Sequence, residues 1–178
     1  MEPNEIQIGL AAAVEEVLET MCFTSVFASA EGTLPPDGDG SAPAPEGGAG
    51  PAGEPAIPAE ADAAAPTCTA ELRFRGVPSG QCRVRVARSL ARVMAAGFLG
   101  CEEIEVSDSQ TEEVVCELAN MICGSVLSRL ESEATFQITH PELVPPERGA
   151  WFEGAGINRW FDLGDGILTV SLELQQSV

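Results

Sequence analysis

The chain has 178 residues and a formal net charge of −19, from 28 acidic and 9 basic residues, and every basic residue is an arginine. That charge argues against binding nucleic acid or an anionic membrane through bulk electrostatics. The length suits one ordinary domain. No stretch approaches the about 18 apolar residues of a membrane span, and the acidic start lacks the pattern of a secretory signal. We therefore expect a cytoplasmic protein.

The first predicted element is a helix over residues 5–23, followed by an abrupt change of composition. One face of this helix gathers Ile6, Leu10, Val14, Leu18 and Met21. Residues 31–66 are mostly Pro, Gly, Ala and acidic residues, with too little apolar surface to offset the entropy of ordering. We interpret them as a disordered insertion, with a docking segment as the alternative. The domain then consists of residues 1–30 and a main part over 67–178.

A hairpin and a short helix follow the insertion. Around the turn sequence GVPSG, two stretches alternate apolar and charged residues, which predicts two half-buried strands. The outer face of this hairpin carries Arg73, Arg75, Arg83 and Arg85, either solvated or paired with nearby carboxylates. Residues 88–100 predict a helix that ends at Gly100, with core contacts at Leu90, Val93 and Phe98.

The rest of the chain alternates a long helix with strands. Residues 111–130 have helical periodicity, and Ser107 or Ser109 can cap the start. The sequence ATFQITHPELV predicts a strand that ends at Pro141. INRWFDL and GILTVSLEL predict a terminal hairpin around GDG. The predicted fold class is α/β (α+β), an antiparallel-rich mixed sheet packed by two or three helices.

The helix over 111–130 has an unusual polar face. At about 100° per residue, Glu113, Glu117, Asn120 and Gly124 fall within roughly 60° of each other, opposite the apolar face. This pattern could be an ordinary solvated face. However, Gly124 costs about 1 kcal/mol in a helix interior relative to Ala, and Asn120 is a poorer helix former than Gln or Lys. Both residues favour a surface that a partner approaches closely.

Most standard catalytic motifs are missing from the sequence. There is no G-x-S-x-G, no phosphate-binding G-x-x-x-x-G-K-[ST] and no H-E-x-x-H. The six cysteines are scattered, which argues against a zinc site or a disulfide framework. The single histidine, His140, precedes a proline and is interpreted as an ordinary loop residue. By contrast, an amide held on a helix can both donate to and accept from one water, which is the positioning that phosphoryl-group hydrolysis needs.

The motif around this helix resembles the CheC/CheX/FliY family of chemotaxis phosphatases, most of all its CheX branch. The family signature is Asp or Ser, three residues, Glu, two residues, Asn, roughly twenty residues, then Pro. Glu117, Asn120 and Pro141 match its spacing, and Gly124 matches the helix pattern E-x-x-N-x-x-x-G. The preceding strand, Gly-turn, strand and helix also resemble CheX. The first signature position holds Glu113 in place of Asp or Ser.

This resemblance implies a phosphatase that acts on the phospho-aspartate of a CheY-type response regulator. Asn120 would orient the attacking water and Glu117 would anchor the partner's lysine, while Glu113, Gly124 and Pro141 would contact the partner. The partner would supply Mg²⁺, and this chain would need no cofactor of its own. The first helix has Glu where a second site would need Asn, so we expect one active site. The resemblance also implies a homodimer, because CheX-like proteins pair through sheet edges. The alternatives are a non-catalytic receiver-binding or flagellar-switch module of the same fold and, more remotely, a small-molecule enzyme.

Overall fold

The structure is a computed structural model that describes residues 3–32, 66–130, 135–145 and 156–175. The predicted insertion falls largely on residues 33–65, which lie outside the described residues. In chain order the described elements are α1 (Pro3–Met21), β1 (Ala28–Glu31), β2 (Thr67–Arg75), β3 (Ser79–Ala87), α2 (Arg88–Leu99), α3 (Asp108–Leu130), β4 (Gln137–Ile138), β5 (Glu142–Leu143), β6 (Ile157–Asp162) and β7 (Ile167–Gln175).

The described strands form one sheet in the order β1-β6-β7-β3-β2-β4, with β5 pairing a second part of β2. Every pair is antiparallel. The predicted hairpins are β2–β3 and β6–β7. The short edge strand β1 adds to β6 and was not predicted. The predicted fold class is therefore confirmed, as an antiparallel sheet with three helices.

One face of the sheet and the three helices form the hydrophobic core. Alternate strand residues such as Leu72, Phe74 and Val84 are almost fully buried in the same cluster as Leu10 and Ile122 of the helices. α3 packs against β2 and β3, and α1 and α2 both pack against α3. This arrangement places α3 in the middle of the helical layer, which fixes its position relative to the sheet.

The opposite face of the sheet is more buried than the alternation predicts. Glu71 and Arg83 are register partners on β2 and β3, and their side chains are only 9% and 8% exposed. They form an ion pair at 2.5 Å. Arg73 and Arg75 on the same hairpin are exposed. Arg73 lies 3.9 Å from the other oxygen of Glu71, so Glu71 is paired with one buried and one exposed arginine of this face.

Three local predictions need correction. Met21 and Val93, predicted to face the core, are each 39% exposed, because they lie at the margins of the apolar stripes of α1 and α2. The strand predicted over ATFQITHPELV is two short strands, β4 and β5, separated at Pro141 and paired with different parts of β2.

In the described residues, no helix is long and apolar enough to cross a membrane.

Candidate functional site

The start of α3 is fixed by a side-chain cap. Ser107 Oγ accepts a hydrogen bond from the backbone N–H of Gln110, and Gln110 Oε1 accepts one from the backbone N–H of Ser107. This reciprocal pair satisfies two backbone donors that a helix start leaves free. Ser107 is therefore the cap of the two candidates, and the helix begins at Asp108.

The buried face of α3 sets the rotation of the helix about its axis. Val115, Leu118, Ala119, Ile122 and Val126 are at most 1% exposed and belong to the core. Because these side chains are locked between the sheet and the other helices, the opposite face must point outward. The polar stripe predicted from the sequence is accordingly the outer face of α3.

The stripe itself is accessible and unpartnered at its centre. Glu117 is exposed and Asn120 is half-exposed, and neither side chain makes a hydrogen bond or ion pair within the described residues. One turn further along, a Cβ added at Gly124 would meet no atom within 4 Å. The structure therefore presents a free amide and a free carboxylate beside a patch of bare helix backbone.

Glu113, one turn before Glu117, is held in place by a neighbour. The Ser109 hydroxyl donates a hydrogen bond to Glu113 Oε1 over 3.1 Å. Both residues are exposed, and their i, i+4 spacing puts them on the same side of the helix. The polar stripe thus begins one turn earlier than the sequence motif indicates.

A groove lies along one flank of the stripe, between α3 and the segment that carries β4 and β5. It encloses about 270 Å³ and is lined by Glu113, Cys116, Glu117, His140, Pro141 and Leu143, among others. Pro141 is buried in its wall, whereas His140 is exposed. Four of the five predicted site residues lie along one helix face, and the fifth, Pro141, supports the groove beside Glu113 and Glu117.

The other flank of the stripe is bounded by α1. Arg129 of α3 forms an ion pair with Glu16 of α1 at 2.5 Å, and the Ser125 hydroxyl donates to the same carboxylate. These contacts tie the two helices together on the side of α3 opposite the groove. In the part of the chain that the structure describes, the polar stripe is thus framed by α1 and by the β4–β5 segment.

The titratable groups around the stripe do not include an activated thiol. Burial, with a smaller contribution from Glu112, raises the pKa of Cys116, and burial likewise raises the pKa of Cys68. A thiol with a raised pKa is a poor nucleophile at neutral pH. Among the described residues, no group of three or more His, Cys, Asp or Glu side chains is arranged to hold a metal ion.

Sequence reasoning missed two contributors to this surface. The sequence suggests Ser109 as a helix cap, whereas its i, i+4 spacing to Glu113 signals the contact that the structure shows. Leu143, which is 41% exposed, has no such signal. Its place in the groove depends on how β5 pairs with β2, a long-range contact that a single sequence does not reveal.

Comparisons with known proteins find one matching family model and solved structures that share the fold. The family model described as "Chemotaxis phosphatase CheX" matches residues 68–150, a range that includes all of α3 and Pro141. No curated protein is similar enough to match this chain. The match confirms the family resemblance seen in the sequence.

Solved structures share the fold at low sequence identity. A CheX chemotaxis protein from Desulfovibrio desulfuricans is 19% identical, with 96% of this chain and 99% of that chain covered and a TM-score of 0.63. A CheX–CheY–BeF3–Mg complex from Borrelia burgdorferi is 16% identical, with coverages of 96% and 98% and a TM-score of 0.65. FliY from Thermotoga maritima is 10% identical, with coverages of 96% and 90% and a TM-score of 0.52.

Proposed function

Because this chain belongs to the CheC/CheX/FliY family and lies close to CheX, we propose that it accelerates hydrolysis of the aspartyl phosphate on a CheY-type response regulator. Family membership supports a chemotaxis phosphatase role in general. Our finer proposal assigns the chemistry to α3: Asn120 orients the attacking water, and Glu117 anchors the receiver. We also propose that Glu113 and Gly124 contact the receiver, and that Pro141 supports this surface.

The observation that carries the proposal is the free amide of Asn120. Its side chain makes no hydrogen bond within the described residues, although it sits on a helix whose rotation is fixed by a buried face. An amide that makes no hydrogen bond of its own and projects half-exposed from a fixed helix is available to a water molecule on a docked partner. Its carbonyl oxygen can accept from that water and its amino group can donate to a phosphoryl oxygen.

The contribution of the Asn120 amide to this reaction is to orient the attacking water. Phosphoryl transfer depends mainly on positioning and on electrostatic stabilisation of the transferring group. In our proposal the receiver contributes the phosphorylated aspartate and the Mg²⁺ that neutralises the phosphoryl oxygens. This chain needs no cofactor of its own and contributes the aligned water. The Borrelia burgdorferi complex, which contains CheY, BeF3 and Mg, supports a CheY-type partner.

Close approach of the two proteins is favoured by the surface around Asn120. The open space above Gly124 lets a receiver loop lie against the helix backbone. The free carboxylate of Glu117, one turn from Asn120, suits a lysine beside the receiver's phosphorylation site. The net charge of −19 favours association with a partner that presents basic residues.

We propose a single active site in each chain. In α1 the sequence E-E-V-L-E-T has Glu where a second site would need Asn, and Glu16 of this stretch is paired with Arg129 of α3. A cytoplasmic location and a homodimer complete the proposal. The homodimer rests on the family resemblance and would be tested by sedimentation of the full chain.

The alternative of the same fold is a receiver-binding module without hydrolysis. Glu113 at the first signature position favours it, because the family has Asp or Ser there. Phosphate release from phosphorylated CheY-type receivers of the source organism, with Mg²⁺, separates the two functions. Acceleration of the release by this chain supports the phosphatase. Binding of a beryllofluoride-activated receiver with no acceleration for any receiver would support the binding module instead.

A further inference from the structure

The groove beside α3 has two walls of different chemistry. Glu113 and Glu117 provide carboxylates along the rim on the helix side. Cys116, Pro141 and Leu143 provide apolar surface, with Leu143 still 41% exposed. At about 270 Å³ the groove is smaller than the roughly 300–1,000 Å³ of typical small-molecule sites. Its size and lining suit a single long side chain rather than a cofactor.

Within the described residues, Glu113 and Glu117 have no basic partner, whereas the neighbouring Glu112 has one. Glu112, which directly precedes Glu113 and also lines the groove, is paired with Arg88 at 2.6 Å. Within the residues that the structure describes, Glu113 accepts a hydrogen bond from the neutral hydroxyl of Ser109 alone. In the described ranges, none of the arginine ion pairs includes Glu113 or Glu117. Among the described residues, the groove therefore combines two carboxylates without a basic partner, Glu113 and Glu117, with the apolar surface of Cys116, Pro141 and Leu143.

Lysine and arginine side chains match this combination. Their aliphatic stems bury against apolar surface while the charged head stays at the rim in contact with carboxylates and water. A purely apolar side chain would leave the carboxylates uncompensated, and an acidic one would be repelled. Of the ordinary side chains of a partner protein, a long basic one is the best complement of the groove.

We propose that this groove receives one arginine or lysine side chain of the docked receiver, with Glu113 as its carboxylate partner. The inference rests on the proposed function for the identity of the partner. The basic residue is distinct from the lysine assigned to Glu117. Glu113 precedes Asn120 by seven residues, which is about 10 Å along a helix. The receiver residue therefore contacts α3 about 10 Å along the helix axis from Asn120, toward the start of α3.

A small-molecule titration tests the groove without a receiver. Butylguanidinium and butylammonium are titrated into the full chain at constant ionic strength, with butanol as the apolar control, and the NMR signals of residues 113, 117 and 143 are followed. We expect saturable shifts for one or both cations and at least threefold weaker binding in Glu113→Gln. Glu19→Gln, which removes an exposed carboxylate elsewhere, should bind like the wild type. Shifts spread evenly over the acidic surface, or unchanged in Glu113→Gln, would overturn the proposal.

A double-mutant cycle then tests the partner side of the contact. The receiver used is one whose dephosphorylation this chain accelerates, and each Arg and Lys around its phosphorylation site is changed to Ala in turn. The affinity of each beryllofluoride-activated receiver variant is then measured for the wild-type chain, Glu113→Gln and Glu117→Gln. One basic residue should couple to Glu113 by at least threefold in Kd, and a different lysine should couple to Glu117. If both carboxylates couple to the same lysine, the groove proposal is wrong while the role of Asn120 stands.

Discussion

Glu71 and Arg83 lie opposite each other on adjacent strands and form an ion pair at 2.5 Å, although both side chains are more than nine-tenths buried. The Arg83 Nε also donates to the same carboxylate oxygen over 3.1 Å. The pair lies on the sheet face that the helices do not cover. It links the two strands that pack beneath α3, so it contributes to the platform on which the candidate site rests.

Breaking this pair should destabilise the protein strongly. Removing one partner of a buried ion pair leaves an uncompensated charge, which costs about 3–5 kcal/mol. We therefore expect Arg83→Met to lower the free energy of unfolding by about that amount in urea denaturation. The double variant Glu71→Leu/Arg83→Met should recover most of the loss. A single variant as stable as the wild type would show that the pair contributes little.

Substitutions at Gly124 should separate stability from docking. Because a Cβ there has open space within 4 Å and Ala is the better helix former by about 1 kcal/mol, Gly124→Ala should be slightly more stable in thermal unfolding. Gly124→Leu should fold as well but lose affinity for a receiver, since its side chain fills the space needed for close approach. Unchanged receiver affinity in Gly124→Leu would remove Gly124 from the interface.

Alkaline pH should weaken the fold through buried thiols. Burial raises the pKa of Cys22 from 9.0 to about 11, so the folded state holds this proton more tightly than the unfolded state. The resulting stability is fully present below pH 9 and is lost as the pH rises toward 11. Urea unfolding at pH 7.5 and pH 10, with reductant, should show a smaller alkaline loss in Cys22→Ala than in the wild type. Equal losses of stability in both proteins would show that ionisation of Cys22 is not the cause. Cys101→Ala serves as the control substitution.

The connection between β1 and β2 has a minimum length set by the sheet. Four strand spacings, about 19 Å, separate the two strands in the order β1-β6-β7-β3-β2. The register places Glu31 level with Ala70, so the chain must also run back about 17 Å along the strand direction. The connection therefore spans about 25 Å, or at least roughly eight extended residues. Replacing residues 33–65 by a ten-residue Gly/Ser linker should therefore preserve the fold. A three-residue linker should detach β1 and lower the melting temperature. Equal melting temperatures for the two linkers would contradict the strand order.

The sequence predicted the elements with strong periodicity and missed those made by distant contacts. The β2–β3 hairpin, α3 and the β6–β7 hairpin were all visible as alternating or helical patterns. β1 was not, because its four residues become a strand only by pairing with β6, far along the chain. The burial of Glu71 and Arg83 was hidden for a similar reason, since alternation assigns a strand residue to a face but does not say what covers that face.

The same distinction applies to the candidate site. Spacing alone placed Glu113, Glu117, Asn120 and Gly124 on one helix face, and the buried face of α3 confirms that this face points outward. The groove could not be predicted, because its second wall comes from the β4–β5 segment. Its shape depends on where β5 pairs with β2, which no local pattern specifies.

The most direct test of the central claim is to compare hydrolysis and binding in Asn120→Ala. Phosphate release from a phosphorylated CheY-type receiver with Mg²⁺ and affinity for the beryllofluoride-activated receiver are measured for the variant and the wild type. We predict that the variant folds normally and binds within a few-fold of the wild type but loses about 100-fold in hydrolysis, as expected for a lost positioning group. Unchanged hydrolysis, or a loss of several kcal/mol in folding stability, would contradict the role of Asn120.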